Sequence, residues 1–327
     1  MSIEIIAEVA QGFEGNPKLA ELLALGAIKS AADAVKYQLV FADELAIADY
    51  PYYDLFKSLE MDEAAWGHIV ALVRSENRKI YFDVYGDKSL SLARKLDVSG
   101  VKISTTDFYN QPLLRQAIAS FRQVFISIGG VAIDELDEFV HTLKKANNVT
   151  LMYGFQAEPT PIEENNLFRI VELKKRYPYM PIGFMDHSLG VSEEAFYLPV
   201  MAAGLGVSCI EKHITLDPLL QIEDYISALE PARFEKFVNI IRKMEKALGN
   251  PELVLTAMEK DYKNKAGKVV VAKRDMQAGE VLKEDDLTLK RVSTDGSPNC
   301  FRRISYVLEK TLKDTVLLDC PITKEIV

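Results

Sequence analysis

IEIIAEVAQGFEGNPKLAELLALGAIKSAADAVKYQLV (residues 3–40) holds one complete strand–helix–strand unit. Two runs of strand length, IEIIAEV (3–9) and AVKYQLV (34–40), flank PKLAELLALGAIKSA, whose apolar residues recur at three- and four-residue steps. The connecting EVAQGFEGNP carries neither GxGxxG nor GxxxxGK[ST], the loops expected after the first strand of an open nucleotide-binding sheet. The unit then repeats. Further runs are KIYFDVY (79–85), GVKIST (100–105), VFISIG (124–129), VTLMYGF (149–155), PIGFMDH (181–187) and SCIEKHIT (208–215). Amphipathic segments such as KSLSLARKLD, QPLLRQAIASF, AIDELDEFVHTLKKA, NLFRIVELKKRY and SEEAFYLPVMAAG lie between them. Eight alternations in about 250 residues predict a parallel sheet closed into a (β/α)8 TIM barrel rather than an open doubly wound sheet.

The pattern changes after EPARFEKFVNIIRKMEKALG (230–249). The barrel is expected over 1–248, a polar linker over 249–267 and a small β-rich domain over 268–327, in which two β-type runs flank a turn at Gln277–Gly279. The net charge of −9 and a pI near 5.2 argue against general nucleic-acid binding, which needs a concentrated basic face. Cys209, Cys300 and Cys320 form no CxxC pair and read as free thiols. No apolar run reaches the roughly 18 residues of a membrane span, and MSIEIIAEVA has no basic start; a cytoplasmic location is the expectation.

Reactive groups of such a barrel sit at the C-terminal ends of its strands. In order these ends offer Glu8; Lys36 with Gln38; Asp83; Lys102 with Ser104 and Thr105; Ser127; Gln156; Asp186 with His187; and Glu211, Lys212 and His213. A lysine within an apolar strand needs an opposing charge. Lys36 and Lys102 have two outlets: a salt-bridge network with Glu8, Asp83 or Asp107, or a phosphate or carboxylate ligand beside Ser127 and Gly129–Gly130. His187 and His213 end neighbouring strands, with Glu211 on the face of His213. They are either satisfied core histidines or holders of a divalent cation. Asp224 alone reads as a solvated carboxylate.

AEVAQGFEGNPKLAELL (7–23), DAVKYQL (33–39), VKISTTDFYNQPLL (101–114), FISIGG (125–130), EPTPIEENNL (158–167), GFMDHSLG (183–190) and IEKHITLD (210–217), in this order, resemble the sialic acid synthases. VVVAKRDMQAGEVLKEDDLTLKRV (269–292) resembles their appended antifreeze-like SAF domain. The resemblance implies condensation of phosphoenolpyruvate with an open-chain sugar aldehyde such as N-acetylmannosamine, with release of phosphate. It implies phosphoenolpyruvate contacts from Lys36, Lys102, Thr105 and Ser127, with Gln38 beside Lys36, and Mn2+ or Mg2+ on His187 and His213. Glu8, Asp107 and Asp224 would then handle protons and orient the metal's water. Gln156 and Glu158 stand where the family has an asparagine and a tyrosine at donor and sugar. Arg291 aligns with an arginine that family homodimers, exchanging SAF domains, insert into the partner's site. The sequence departs from the family at Gly12–Phe13, at Asp83–Val84–Tyr85–Gly86, where Asp83 puts negative charge in place of a phosphate-binding serine, and at Val292–Ser293. Two other classes stay open: a barrel lyase or aldolase forming a Schiff base through Lys36 or Lys102, and a non-catalytic sugar-binding homologue.

Overall fold

The computed structural model describes residues 2–143, 146–155, 157–292 and 299–327. Eight parallel strands close on themselves in sequence order: β1 (Glu4–Ala10), β2 (Ala34–Gln38), β3 (Lys79–Asp83), β4 (Gly100–Ile103), β5 (Val124–Ser127), β6 (Val149–Tyr153), β7 (Ile182–Asp186) and β8 (Cys209–His213), with β1 hydrogen-bonded to β8. Seven of the eight expected runs contain their strand, shortened at one or both ends where the chain bends into a loop; β1 starts one residue later than its run and extends one residue beyond it, to Ala10. The helix between β2 and β3 that carries no quoted run above is Glu63–Ser75, preceded by the shorter turns Ala42–Leu45 and Tyr53–Ser58.

Local chemistry starts the first helix cleanly. Asn16 accepts hydrogen bonds from the backbone N–H groups of Lys18 and Leu19 at 2.9 and 3.2 Å, and Pro17 supplies a preset φ at the first helical position. Apolar side chains between sheet and helices form the main core, in which Trp66 makes edge contacts with Phe13, Tyr37 and Phe82 at ring-centroid distances of 5.1 to 5.6 Å. Phe13, one of the family departures, is therefore a fully buried core side chain. Burial of such a ring contributes about 1.5–3 kcal/mol.

The inward strand faces divide into two layers. Ile6, Ala34, Tyr81, Phe125, Met152, Met185 and Cys209 plug the barrel with apolar volume, with Tyr81 and Phe125 edge to face at 4.9 Å. Two residues further along β1, β2 and β8 the same face presents Glu8, Lys36, Glu211 and, beyond it, His213, because strand side chains alternate with a period of two. The apolar plug closes the floor beneath these polar groups.

The chain divides into two compact units, residues 1–249 and 250–327. In the second unit, β9 (Val269–Ala272) pairs antiparallel with β10 (Leu287–Lys290) around a small core that includes Val270, Met276, Leu282, Val307 and Ile322. The segment at Gln277–Gly279 does turn, with Gly279 at φ +92°. Its flanks pair elsewhere, however: Met276 bridges to Val316 and Val281 to Thr311, so the C-terminal segment completes the unit. The stretch read as a linker contains a helix, Ala257–Ala266, capped by Thr256 and Glu259 in reciprocal hydrogen bonds. Among the described residues no helix is long and apolar enough to cross a membrane.

Candidate active site

The polar layer opens into a cavity of about 400 Å³ at the C-terminal ends of the strands. Its lining holds Glu8, Lys36, Gln38, Asp83, Lys102, Ser104, Glu158, His187, Glu211, His213, Glu223 and Asp224. Eight of the expected site residues thus meet in one space: Glu8, Lys36, Gln38, Lys102, Glu158, His187, His213 and Asp224. Others do not line it. Thr105 and Ser127 hydrogen-bond each other at 2.7 Å, and Asp107 sits in the turn after β4, accepting from Asn110 at 3.3 Å and from Thr106 at 3.2 Å. Arg291 belongs to the second unit, where it donates to the Ala266 carbonyl at 3.1 Å. Gln156 lies outside the described residues. Asp83, offered by the sequence as a partner of the lysines, is one; Glu211, offered as the carboxylate beside the histidines, pairs with the lysines instead; and Glu223, next to Asp224, is a lining residue the sequence does not single out.

Both inward lysines are buried and face carboxylates. Lys36 Nζ contacts Glu8, lies 2.8 Å from Asp83 Oδ1 and 3.5 Å from Glu211 Oε2. Lys102 Nζ lies 2.5 Å from Glu211 Oε1 and 4.0 Å from Asp83 Oδ2. The salt-bridge alternative is therefore realised in this state. Three acids share two ammonium groups, so one acid is left without a full counter-charge. Burial, opposed by Lys36 and reinforced by Glu211 and Asp83, pushes the Glu8 carboxyl up to about 8. Burial also acts on Glu211, but the two lysines outweigh it and hold that carboxyl down at about 2. Glu8 is accordingly the member of the group that keeps a proton near neutral pH. Its other oxygen accepts the Ala10 N–H at 2.6 Å, where β1 shifts register and Ala10 takes φ +51°.

The second group lies at the ends of β7 and β8. The rings of His187 and His213 are 5.2 Å apart at 53°. Burial lowers the His187 pKa to about 4 and holds His213 well below its usual value, so both are neutral imidazoles with a lone pair to offer. Neither Nδ1 has a hydrogen-bond partner. Glu158 Oε1 is 3.6 Å from His213 Nε2, and Asp224 Oδ2 is 3.6 Å from His213 Nδ1. One atom each of Glu158, His187 and His213 fall within 4.8 Å of one another, the set of three that could hold a metal ion among the described residues. Two neutral imidazoles and a carboxylate, with orphaned buried nitrogens, fit a divalent first-row cation. The histidine pair was visible in the sequence; the third ligand was not, because Glu158 sits in the loop after β6 rather than on a strand. Burial raises the Asp224 carboxyl to about 9, aided by its hydrogen bond with Glu158.

The outward faces of the same two strands carry a different pair. Lys212 Nζ is 3.0 Å from Asp186 Oδ2, and both side chains are fully buried. Lys212 also donates to the Ser188 carbonyl at 3.0 Å, while Asp186 accepts the Ser188 N–H at 2.9 Å. The His187 carbonyl accepts from Ser227 Oγ and from Thr160 N–H, each at 2.9 Å. These bonds fix the backbone from which His187 projects.

Residues 24–252 match the NeuB family, and residues 267–326 match the SAF domain. An uncharacterized protein of Methanocaldococcus jannaschii is 32% identical over 95% of this chain and 90% of its own. The N-acetylneuraminate-9-phosphate synthase of Homo sapiens is 29% identical over 99% and 92%. The N,N'-diacetyllegionaminic acid synthase of Campylobacter jejuni is 27% identical over 88% and 90%. Among solved structures, the N-acetylneuraminic acid synthetase of Leptospira borgpetersenii, in complex with citrate, superposes with a TM-score of 0.74 at 27% identity, covering 81% of this chain and 92% of that one. The barrel, its polar layer and these matches agree: the chain belongs to the NeuB family, with a SAF domain following its barrel.

Proposed function

We propose that this chain condenses phosphoenolpyruvate with an open-chain sugar aldehyde to give a 2-keto sugar acid and inorganic phosphate. The observation that carries the reading is the convergence, in one cavity, of two lysines with a proton-holding carboxyl and of two neutral histidines with a third carboxylate. Relatives named as N-acetylneuraminate-9-phosphate, legionaminic acid and pseudaminic acid synthases support it.

In this reading Lys36 and Lys102 turn from Asp83 and Glu211 toward the carboxylate and phosphate of phosphoenolpyruvate, and the hydrogen-bonded Thr105 and Ser127, from the turn after β4 and the end of β5, would add hydroxyl donors. C3 of phosphoenolpyruvate bonds to the aldehyde carbon, and the aldehyde oxygen takes a proton. Glu8 has one to give at neutral pH. Water adds to the cationic C2, losing a proton to a carboxylate of the cavity, and the resulting hemiketal phosphate collapses to a C=O and free phosphate. A divalent cation, Mn2+ or Mg2+, held by His187, His213 and Glu158 would polarise the aldehyde carbonyl as a Lewis acid. Asp224 and Glu158 would orient the sugar. We further infer a homodimer in which Arg291 of one copy serves the site of the other; a mixed dimer of Arg291→Ala and Lys102→Ala chains should then regain part of the lost turnover.

A Schiff-base lyase fits less well. That route needs a neutral amine. Burial alone would favour one, yet Asp83, Glu211 and Glu8 outweigh it and hold the Lys36 pKa well above its usual value. The test is product mass: incubation with phosphoenolpyruvate and acetamido-aldoses should yield an acid three carbons longer than the aldose. Pyruvate trapped on either lysine by borohydride, with no such acid, would favour the lyase instead.

A further inference from the structure

One step above the two lysines, the rim of the cavity carries two hydroxyls. β3 and β4 run side by side with Asp83 opposite Lys102, and the ladder continues one residue further, where the Val84 N–H donates to the Lys102 carbonyl at 3.1 Å. Phe82 and Val84 on one side, and Val101 and Ile103 on the other, face the core between sheet and helices. Asp83 and Lys102 face the cavity. Strand side chains alternate, so the next inward positions are Tyr85 and Ser104, next to each other at the rim. Ser104 lines the cavity itself. Tyr85 is 6% exposed, yet it belongs to neither apolar cluster of the barrel. Burial, then Asp83 against the opposing pull of Lys36, holds its pKa well above the usual value, so the hydroxyl keeps its proton. Among the described residues neither hydroxyl has a hydrogen-bond partner.

A buried phenol left without a partner costs free energy that an incoming acceptor would relieve. The acceptors of this rim are engaged elsewhere: Asp83 lies 2.8 Å from the Lys36 ammonium, and Asp107 accepts from Asn110 and Thr106. Each hydroxyl has one proton to donate, and the terminal oxygens of a phosphate ester only accept. Neutral donors tighten the hold on such a dianion without disturbing the balance of lysines and carboxylates below. The phosphate suits them better than the carboxylate, because it presents more acceptor oxygens and the greater charge. We propose that Tyr85 and Ser104 donate hydrogen bonds to the phosphate group of phosphoenolpyruvate, as binding residues beside Lys36 and Lys102. The proposal rests on the condensation reading and deepens its anion half.

The experiment measures, by calorimetry on the full-length protein with Mg2+, the affinities of phosphoenolpyruvate, inorganic phosphate and pyruvate in the wild type, Tyr85→Phe and Ser104→Ala. Loss of one hydrogen bond to a charged group should weaken phosphoenolpyruvate and inorganic phosphate about tenfold in each variant, while pyruvate, which has no phosphate, keeps its affinity. In turnover with N-acetylmannosamine, KM for phosphoenolpyruvate should rise and KM for the sugar should not. Unchanged affinity for both phosphate compounds in both variants overturns the proposal. Equal weakening of pyruvate also overturns it, since that marks a structural role or a contact to the carboxylate, and an effect confined to one variant overturns the assignment of the other residue. If the wild type binds phosphoenolpyruvate yet forms no sugar acid, the condensation reading fails, and the affinities still decide the hydroxyl pair. A wild type that binds neither phosphoenolpyruvate nor inorganic phosphate contradicts both.

Discussion

Two kinds of buried lysine sit within a few ångströms of strand ends in this barrel, and their surroundings differ in one respect. Lys212, on the outward face of β8, has one carboxylate, Asp186, and a backbone carbonyl, and the charges cancel. Lys36 and Lys102, on the inward face, share three carboxylates beside an open cavity. A matched pair sealed from solvent has nothing left to offer a ligand. An unmatched group must hold a proton on Glu8, and that surplus is what a reacting substrate can draw on. The contrast separates a lysine that holds the fold from lysines available for binding.

The largest effect should come from breaking the sealed pair. Lys212→Met strands Asp186 in the core and should cost about 3–5 kcal/mol of stability, measured by urea unfolding, whereas the Asp186→Leu/Lys212→Met double variant should recover most of it. If the single variant is as stable as the wild type, the outward pair is not structural. Next comes the histidine end. His213→Ala or His187→Ala should leave the barrel folded by circular dichroism and weaken Mn2+ binding by about a hundredfold, since loss of a ligand should cost at least as much as loss of its supporting shell. Unchanged affinity in both would remove the metal from the account.

Lys102→Met should behave unlike Lys212→Met. Glu211 keeps Lys36 at 3.5 Å, so the stability loss should be the smaller of the two, while phosphoenolpyruvate affinity by calorimetry should fall about tenfold or more, as expected for a charge-assisted hydrogen bond of roughly 1.5–3 kcal/mol. Equal affinity would place the anion elsewhere. The smallest effect is a slope. The Glu8 carboxyl is raised from 4.5 to about 8 on folding, so the native state binds the extra proton between those values. Its contribution to stability is fully present below about pH 4.5 and is lost as pH rises toward 8. Glu8→Gln should therefore gain on the wild type by more than about 1 kcal/mol between pH 5 and pH 8. A parallel pH profile would mean that Glu8 holds no proton.

Much of the barrel was legible because each strand is a short apolar run and each helix an amphipathic one. Parity along β8 even assigned Glu211 and His213 to one face. The partners of the lysines were not legible: Lys102 and Glu211 are 109 residues apart, and only barrel closure brings them together. Asp186 and Lys212 looked like site residues in a list of strand-end polar groups, although each stands one residue out of phase with its neighbouring histidine. Glu158 as a possible ligand depends on a loop path that no periodicity encodes. The helix Ala257–Ala266 buries no residue, so it left no apolar stripe, yet Thr256 with Glu259 three residues on was a readable start signal. The family resemblance supplied roles for Thr105, Ser127 and Asp107 that the cavity lining does not by itself suggest.

The condensation account stands or falls on which bond of phosphoenolpyruvate breaks. Water adding to C2 means that the bridging oxygen leaves with phosphorus. With phosphoenolpyruvate carrying 18O in the bridge, an acetamido-aldose and Mn2+, the account predicts 18O in the released phosphate and none in the keto acid, by mass spectrometry. Label retained in the keto acid would show P–O cleavage and contradict it.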